Sequence, residues 1–216
     1  MGSATRTWSP VASCTQVSGS AAAVLGGDAS TAPAEIDAAV GAVRPAATVG
    51  APAIGRLASA FADAGFELHL VGGSVRDALL GRLGHDLDLT TDARPDAIER
   101  LLKKATKATW DMGRSFGTIG GLVREADGRE WVVEITTFRA DAYDPESRKP
   151  VVAFGDSLVD DLKRRDFRVN AMALSVITGA FTDPFDGLGD LELSVLRTPA
   201  EPEVSFSDDP LRMMRA

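Results

Sequence analysis

One succession of residues, between positions 68 and 91, limits the possible folds more than any other part of this 216-residue chain. Leu68, His69, Leu70 and Val71 suit a short buried strand. Gly72, Gly73 and Ser74 follow, and then an amphipathic run to Gly81 that reads as a helix. A strand that turns through glycines into a helix offers free backbone N–H groups and the positive end of the helix dipole to an anion. Glycine also lets the backbone approach a phosphate closely. Ser74 is placed to cap the helix, and Arg76, in its first turn, can present its planar fork to two phosphate oxygens.

Asp86, Leu87, Asp88 and Leu89 alternate acid and leucine. In a strand that period puts both carboxylates on one face and both leucines in the core. Two carboxylates this close repel each other unless a cation lies between them. Oxygen-only ligands suit Mg2+, which takes one or two carboxylates and completes its shell with substrate phosphates. A glycine pair alone is most simply a turn without a ligand, and an Asp-x-Asp pair alone fits an exposed strand face or a sugar-nucleotide site equally well. In this order, about a dozen residues apart, they are the equipment of two-metal phosphoryl transfer.

The flanking sequence supplies the rest of a domain. Residues 1–50 are rich in Ala, Ser, Thr and Gly and bury too little to offset their ordering entropy, so they read as a disordered leader. Ile54, Leu57, Ala58 and Phe61 mark a helix closed by Gly65. Asp92 reads as the cap of another, with Pro95 in its first turn and Ile98, Leu101, Leu102 and Ala105 inward; Lys103, Lys104 and Lys107 face water. Residues 116–124 and 130–139 read as two strands turning at Asp127 and Gly128. In the second, Trp131, Val133 and Ile135 share one face, and Glu134 stands among the other face's residues as an acid in an otherwise apolar strand. Residues 141–152 form a polar, proline-containing loop with Arg148 and Lys149. Farther on, Phe167, Asn170, Ala171 and Leu174 share a helical face, and a buried Asn must be hydrogen-bonded to backbone or ligand. The basic run at 163–168, read by composition alone, is a surface charge balanced by Asp160, Asp161 and Asp166. Residues 207–216 read as a helix with an early proline, which sets Asp209, Arg212 and Arg215 on roughly one side.

Gly72-Gly73-Ser74-Val75-Arg76-Asp77, then Asp86-Leu87-Asp88, then Arg164-Arg165-Asp166-Phe167 with Asn170, and Asp208-Asp209 with Arg212 together resemble class II tRNA nucleotidyltransferases (CCA-adding enzymes) and the related bacterial poly(A) polymerases, of the polymerase-beta nucleotidyltransferase superfamily. The likeness covers about residues 51–216, with four motifs in family order. It implies an α/β nucleotidyltransferase head over 51–190 with a small mixed sheet and flanking helices, and a connector with the first helix of a helical neck over 191–216, where the sequence stops.

The resemblance also implies roles. Asp86 and Asp88 hold two Mg2+ ions, and Glu134 is either a third acid of the site or an edge-strand charge. Gly72, Gly73, Ser74 and Arg76 grip the triphosphate of CTP or ATP; Arg165 contacts the nucleotide, Asp166 reads the ribose hydroxyls and Asn170 braces the element that carries these two residues. Asp209 and Arg212 pair with the incoming base, with Arg215 beside them; the family's glutamate is Asp208 here. The implied reaction is addition of CMP and AMP to the tRNA 3′ acceptor end. Poly(A) polymerases tend to carry an Arg-Arg-Phe-type element after the metal strand, and residues 110–117 lack it, which favours CCA addition; a C-only or A-only enzyme, or a nucleotide-binding module without RNA turnover, keeps the same motifs. The net charge of −8 does not advertise RNA binding, so RNA affinity requires a local patch. The single cysteine, Cys14, rules out an intrachain disulfide and fits a reducing cytoplasm, and no apolar run reaches a membrane span.

Overall fold

The computed structural model of the chain describes residues 52–140 and 153–216. The readings of residues 1–50 as a leader and of 141–152 as a loop lie outside the described residues. Among the described residues no helix is long and apolar enough to cross a membrane.

Helix α1 (Pro52–Asp63) buries Ile54, Leu57, Ala58 and Phe61, the stripe its apolar spacing predicts. Its first turn is held from outside: both carboxylate oxygens of the buried Glu125 accept from the Ala53 backbone N–H, at 2.9 and 3.0 Å. A carboxylate there complements the helix dipole and fills a donor that the helix itself leaves unmet. Strand β1 (His69–Val71) follows, then α2 (Gly73–Leu79), β2 (Asp86–Thr91) and α3 (Pro95–Ala105). Pro95 is the first residue of α3 and the cap position is Arg94, without a side-chain bond. Asp92 instead accepts from the Glu67 N–H at 2.8 Å, so it ties two loops together rather than capping the helix.

Strands β3 (Ala108–Trp110), β4 (Thr118–Arg124) and β5 (Glu130–Thr137) complete one wing, with Gly128 taking the left-handed conformation in the β4–β5 turn at φ 91°. Beyond it come β6 (Arg139–Ala140), paired with β7 (Ala153–Phe154), then α4 (Leu158–Lys163), β8 (Ala173–Ser175), β9 (Phe181–Thr182), α5 (Gly187–Glu192) and α6 (Pro202–Asp208). The main sheet has the order β3-β4-β5-β2-β1-β8-β9. Only β2 and β5 pair in parallel, which requires the crossover through α3, β3 and β4.

The two faces of this sheet have opposite characters. One is covered by α1 and α3, whose Ile54, Leu57, Phe61, Ile98 and Leu102 pack with Leu70, Leu89, Ile119, Val133 and Ile135. Burying each such side chain contributes about 1.5–3 kcal/mol, so this layer dominates stability. The other face carries a smaller cluster of Val71, Leu162, Ala171 and Ala173 at one end and the acids of β2 in the open remainder.

Two expected helices are differently built. Phe167, Ala171 and Leu174 are buried as their spacing predicts, but residues 164–172 do not continue α4. The chain breaks after Lys163, forms a 3-10 turn at Arg168–Asn170 and enters β8, because Leu174 is needed in the sheet opposite Leu70. At the other end α6 closes at Asp208, and Asp209 caps a separate 3-10 turn, Pro210–Met214, by accepting from the Leu211 N–H at 3.0 Å. The proline forces that break, since it has no N–H to continue the helix.

Candidate active site

The loop between β1 and α2 is set by Gly72, whose φ of 66° and ψ of −141° lie where a side chain is strained. A methyl group at Gly72 would come 3.0 Å from Arg165 Nη1 and 3.9 Å from Asp88 Oδ2. The glycine therefore lets the Arg165 guanidinium and the Asp88 carboxylate close over the same backbone turn. Gly73 opens α2, and the Nη2 of Arg76 would stand 3.3 Å from a methyl there.

Ser74 is not the cap of α2. The helix begins at Gly73, and the buried Ser74 hydroxyl points across to β2, accepting from the Asp88 N–H at 3.0 Å and donating to the Asp86 carbonyl at 3.4 Å. It is the clamp that holds the acid strand against the glycine turn.

Asp86 and Asp88 stand on the open face of β2, with Leu87 and Leu89 in the core, as the alternation predicts. Surrounding protein desolvates Asp88 and raises its pKa; Arg165 opposes that and the Asp86 charge adds to it. A carboxyl pushed up by burial and by a neighbouring acid is one that a divalent cation would relieve. Glu134 lies level with Asp88 on the parallel strand β5, exposed and on the same face. Among the described residues no group of three or more His, Cys, Asp or Glu side chains is placed to hold a metal ion by itself.

Across the turn stands a group of guanidinium side chains. Arg165 donates to Asp161 at 3.2 Å, and its Nε has no hydrogen-bond partner among the described residues. Burial lowers the pKa of Arg139, Asp161 opposes this, and the like charges of Arg164 and Arg165 reinforce it. Asp161 itself is buried and accepts from Thr90 Oγ1 at 3.2 Å and from the Arg139 N–H at 3.1 Å. Arg165 and Arg139 thus both lie beside the Asp161 carboxylate, next to the glycine turn. The expectation that Asp161 is a surface counter-charge is thus corrected: its partners lie on β2 and at the start of β6. Its spacing four residues before Arg165 was the signal in the sequence.

Arg76, Asn170, Asp166 and Arg215 form a continuous relay. Arg76 Nη1 donates to Asn170 Oδ1 at 2.7 Å, Asn170 Nδ2 to Asp166 Oδ1 at 2.9 Å, and Arg215 Nη1 to Asp166 Oδ2 at 3.3 Å. Arg215 also donates to Asp209 at 2.7 Å. Arg212 is directed elsewhere, to Ser205 Oγ at 2.6 Å and the Arg164 carbonyl at 2.8 Å, with its Nε 4.0 Å from Asp209.

Residues 68–197 match the family described as the Poly A polymerase head domain, more than half of the chain. The chain belongs to that family. Its glycine turn, acid strand and arginine group all fall within the matched head domain. Among curated relatives, the CCA-adding enzyme of Lactobacillus johnsonii is 46% identical over 155 residues and that of Bacillus subtilis 41% over 155, each alignment covering 71% of this chain and 36% of the relative. The crystal structure of the Bacillus stearothermophilus CCA-adding enzyme in complex with CTP superposes with a TM-score of 0.61 at 36% identity, over 74% of this chain and 36% of that one. A tRNA nucleotidyltransferase complexed with a primer tRNA and an incoming ATP analog gives 0.57 at 31% identity, over 74% and 42%. This head-domain chain thus spans little more than a third of the length of the curated relatives it matches.

Proposed function

We propose that the chain carries the catalytic head, over 51–190, and the beginning of the base-selecting neck, over 191–216, of a tRNA nucleotidyltransferase that adds CMP and AMP to the tRNA 3′ end with release of pyrophosphate. The observation that carries this reading is the closure of Asp88 and Arg165 over Gly72: an acid and a cation lie over one turn whose backbone conformation disfavours a side chain. The CCA-adding relatives and the structure of one with CTP support it.

In this reading Asp86 and Asp88 hold Mg2+, which when bound makes the primer 3′-hydroxyl a better nucleophile and neutralises the leaving pyrophosphate. Gly72 and Gly73 admit the triphosphate against the backbone, clamped to the acid strand by Ser74. Arg165, Arg139 and Arg76 balance its charge, Arg165 with the Nε that no described group engages. Glu134, level with Asp88, orients the hydroxyl side of the site. Asp166 receives the ribose and Asn170 fixes its carboxylate. Asp209 and Arg212 present the acceptor and donor that recognise C or A, which requires Arg212 to exchange its bonds to Ser205 and the Arg164 carbonyl for the base.

The test is incorporation into tRNA lacking its CCA end, with Mg2+ and each NTP separately, then CTP with ATP. Addition that stops after C, C and A is the expected result. A long A tail makes the chain a poly(A) polymerase, and arrest after C alone, or use of A alone, makes it a partial adder. CTP and ATP binding without incorporation reduces the chain to a nucleotide-binding module.

A further inference from the structure

A row of residues crosses the open face of the sheet from the acids to its edge. Asp88 is level with Glu134, Glu134 with Gly120, and Gly120 with Trp110. Residues level on adjacent strands project to the same side, so all four belong to the face opposite the core. The neighbours confirm the sidedness: a methyl at Gly121, the next residue, would meet Leu102 and Thr106 of the core layer, at 3.3 and 3.2 Å.

At Gly120 a methyl would fall 2.0 Å from Trp110 Nε1 and 2.1 Å from Cε2. The indole therefore lies on the bare backbone of β4, reaching from the edge strand toward Glu134. Trp110 is half-buried, Gly120 wholly so, and Glu134 is exposed. The ring contributes nothing to the core, which has its own tryptophan, Trp131, on the other face. Adjacent strands run roughly 5 Å apart, so the ring stands about one strand from Glu134 and two from Asp88.

We propose that Trp110 is a stacking platform for a nucleobase at the single-stranded 3′ end of the RNA primer. The proposal rests on the nucleotidyltransferase reading above. In-line displacement puts the attacking oxygen and the leaving group on opposite sides of the phosphorus. The leaving pyrophosphate belongs to the Gly72 and Arg165 side, and the base reader docks there too, through Arg212 on the Arg164 carbonyl. The attacking 3′-hydroxyl must then come from the β5-β4-β3 side, where Trp110 offers an aromatic surface in line with the acid row. Stacking on an aromatic plane is tolerant of base identity, as a primer end that changes at each addition requires. It strengthens binding of a base roughly 5- to 150-fold.

The experiment compares Trp110→Ala, Trp110→Leu and Trp110→Phe in CMP incorporation on tRNA lacking CCA, alongside quenching of tryptophan fluorescence by a short single-stranded RNA ending in CC. Expected are a KM for tRNA raised at least fivefold in the Ala and Leu variants, near-native values with Phe, KM for CTP within twofold throughout, and loss of the RNA quench in all three. Leu keeps an apolar cover over Gly120, so a Leu variant that melts like the parent and still loses tRNA affinity separates stacking from folding. Unchanged KM for tRNA in an active Ala variant, or an equal rise in KM for CTP, overturns the platform and leaves the reaction intact. A Trp110-dependent quench without incorporation by the parent chain keeps the platform and overturns the reaction; neither signal overturns both.

Discussion

Asp88 is a carboxyl whose surroundings resist its charge. Its pKa is raised in the fold by burial and by Asp86, with Arg165 offsetting part of the effect. The folded chain therefore holds this proton more tightly than the unfolded chain, and ionised Asp88 costs stability above its folded pKa. That cost shrinks as pH falls through the folded pKa and is gone below the unfolded value, near that of a free Asp. Asp88→Asn is accordingly expected to raise Tm in EDTA at neutral pH, with the gain fading as the pH is lowered through the carboxylate range. Adding Mg2+ should stabilise the parent chain and not the variant, and scanning calorimetry across pH with and without the ion checks both. Under the proposed reading Asp86→Ala removes a ligand of Mg2+, together with the neighbouring charge that helps hold the Asp88 pKa up. Losing several kcal/mol of transition-state charge stabilisation predicts a fall in kcat on the order of a thousandfold, with CTP affinity altered far less. Single-turnover incorporation reads it.

Short elements, more than long ones, decide how this chain differs from a reading of its residues. The β2 alternation and the β4–β5 hairpin were legible because period-two patterning and a Gly-containing turn are local signals. The interval 164–174 was not, because a residue every three or four positions fits both a helix and the 3-10 turn plus strand that stand here; pairing of Leu174 with Leu70, over a hundred residues back, settles the difference. Ser74 misled for a related reason: its hydroxyl belongs to a strand twelve residues on rather than to its own helix. The two or three residues of β3, β8 and β9 carry too little pattern to be seen. Asp161 shows what such long-range pairing is worth. It is buried with bonds to Thr90, the Arg139 N–H and Arg165, so Asp161→Ala strips the carboxylate from the Arg139 N–H and from Arg165, while Thr90 Oγ1 keeps the Thr136 carbonyl. A loss of about 3–5 kcal/mol is expected in urea titration, and CTP affinity should fall with it as Arg165 loses its anchor. At the opposite pole, Glu125→Gln keeps the shape beneath α1 and removes the charge that complements its dipole, for an expected cost of about 1 kcal/mol in the same measurement.

Taken whole, the molecule divides its labour between two faces of one sheet. Apolar helices stabilise one, and the other is left free for charge, with the acid strand next to the strand that opens the glycine turn. That adjacency puts motifs distant in sequence within one small volume. The relay of Arg76, Asn170, Asp166 and Arg215 then links the helix behind the glycine turn to the last turn of the described chain. Its inner members, Asn170 and Asp166, are each held from both sides. Removing an inner member releases two neighbours and removing an end member frees the next in line, so effects should not add. Arg76→Ala and Asn170→Ala, alone and together, should weaken CTP binding by similar amounts, with the double variant hardly worse than either; a coupling of about 1–2 kcal/mol in isothermal titration is the expected measure. For divergence among related sequences this has a plain meaning. The four positions form one heritable unit: a substitution tolerated at one, in a background that keeps the other three, can be lethal in a background that has already changed a second.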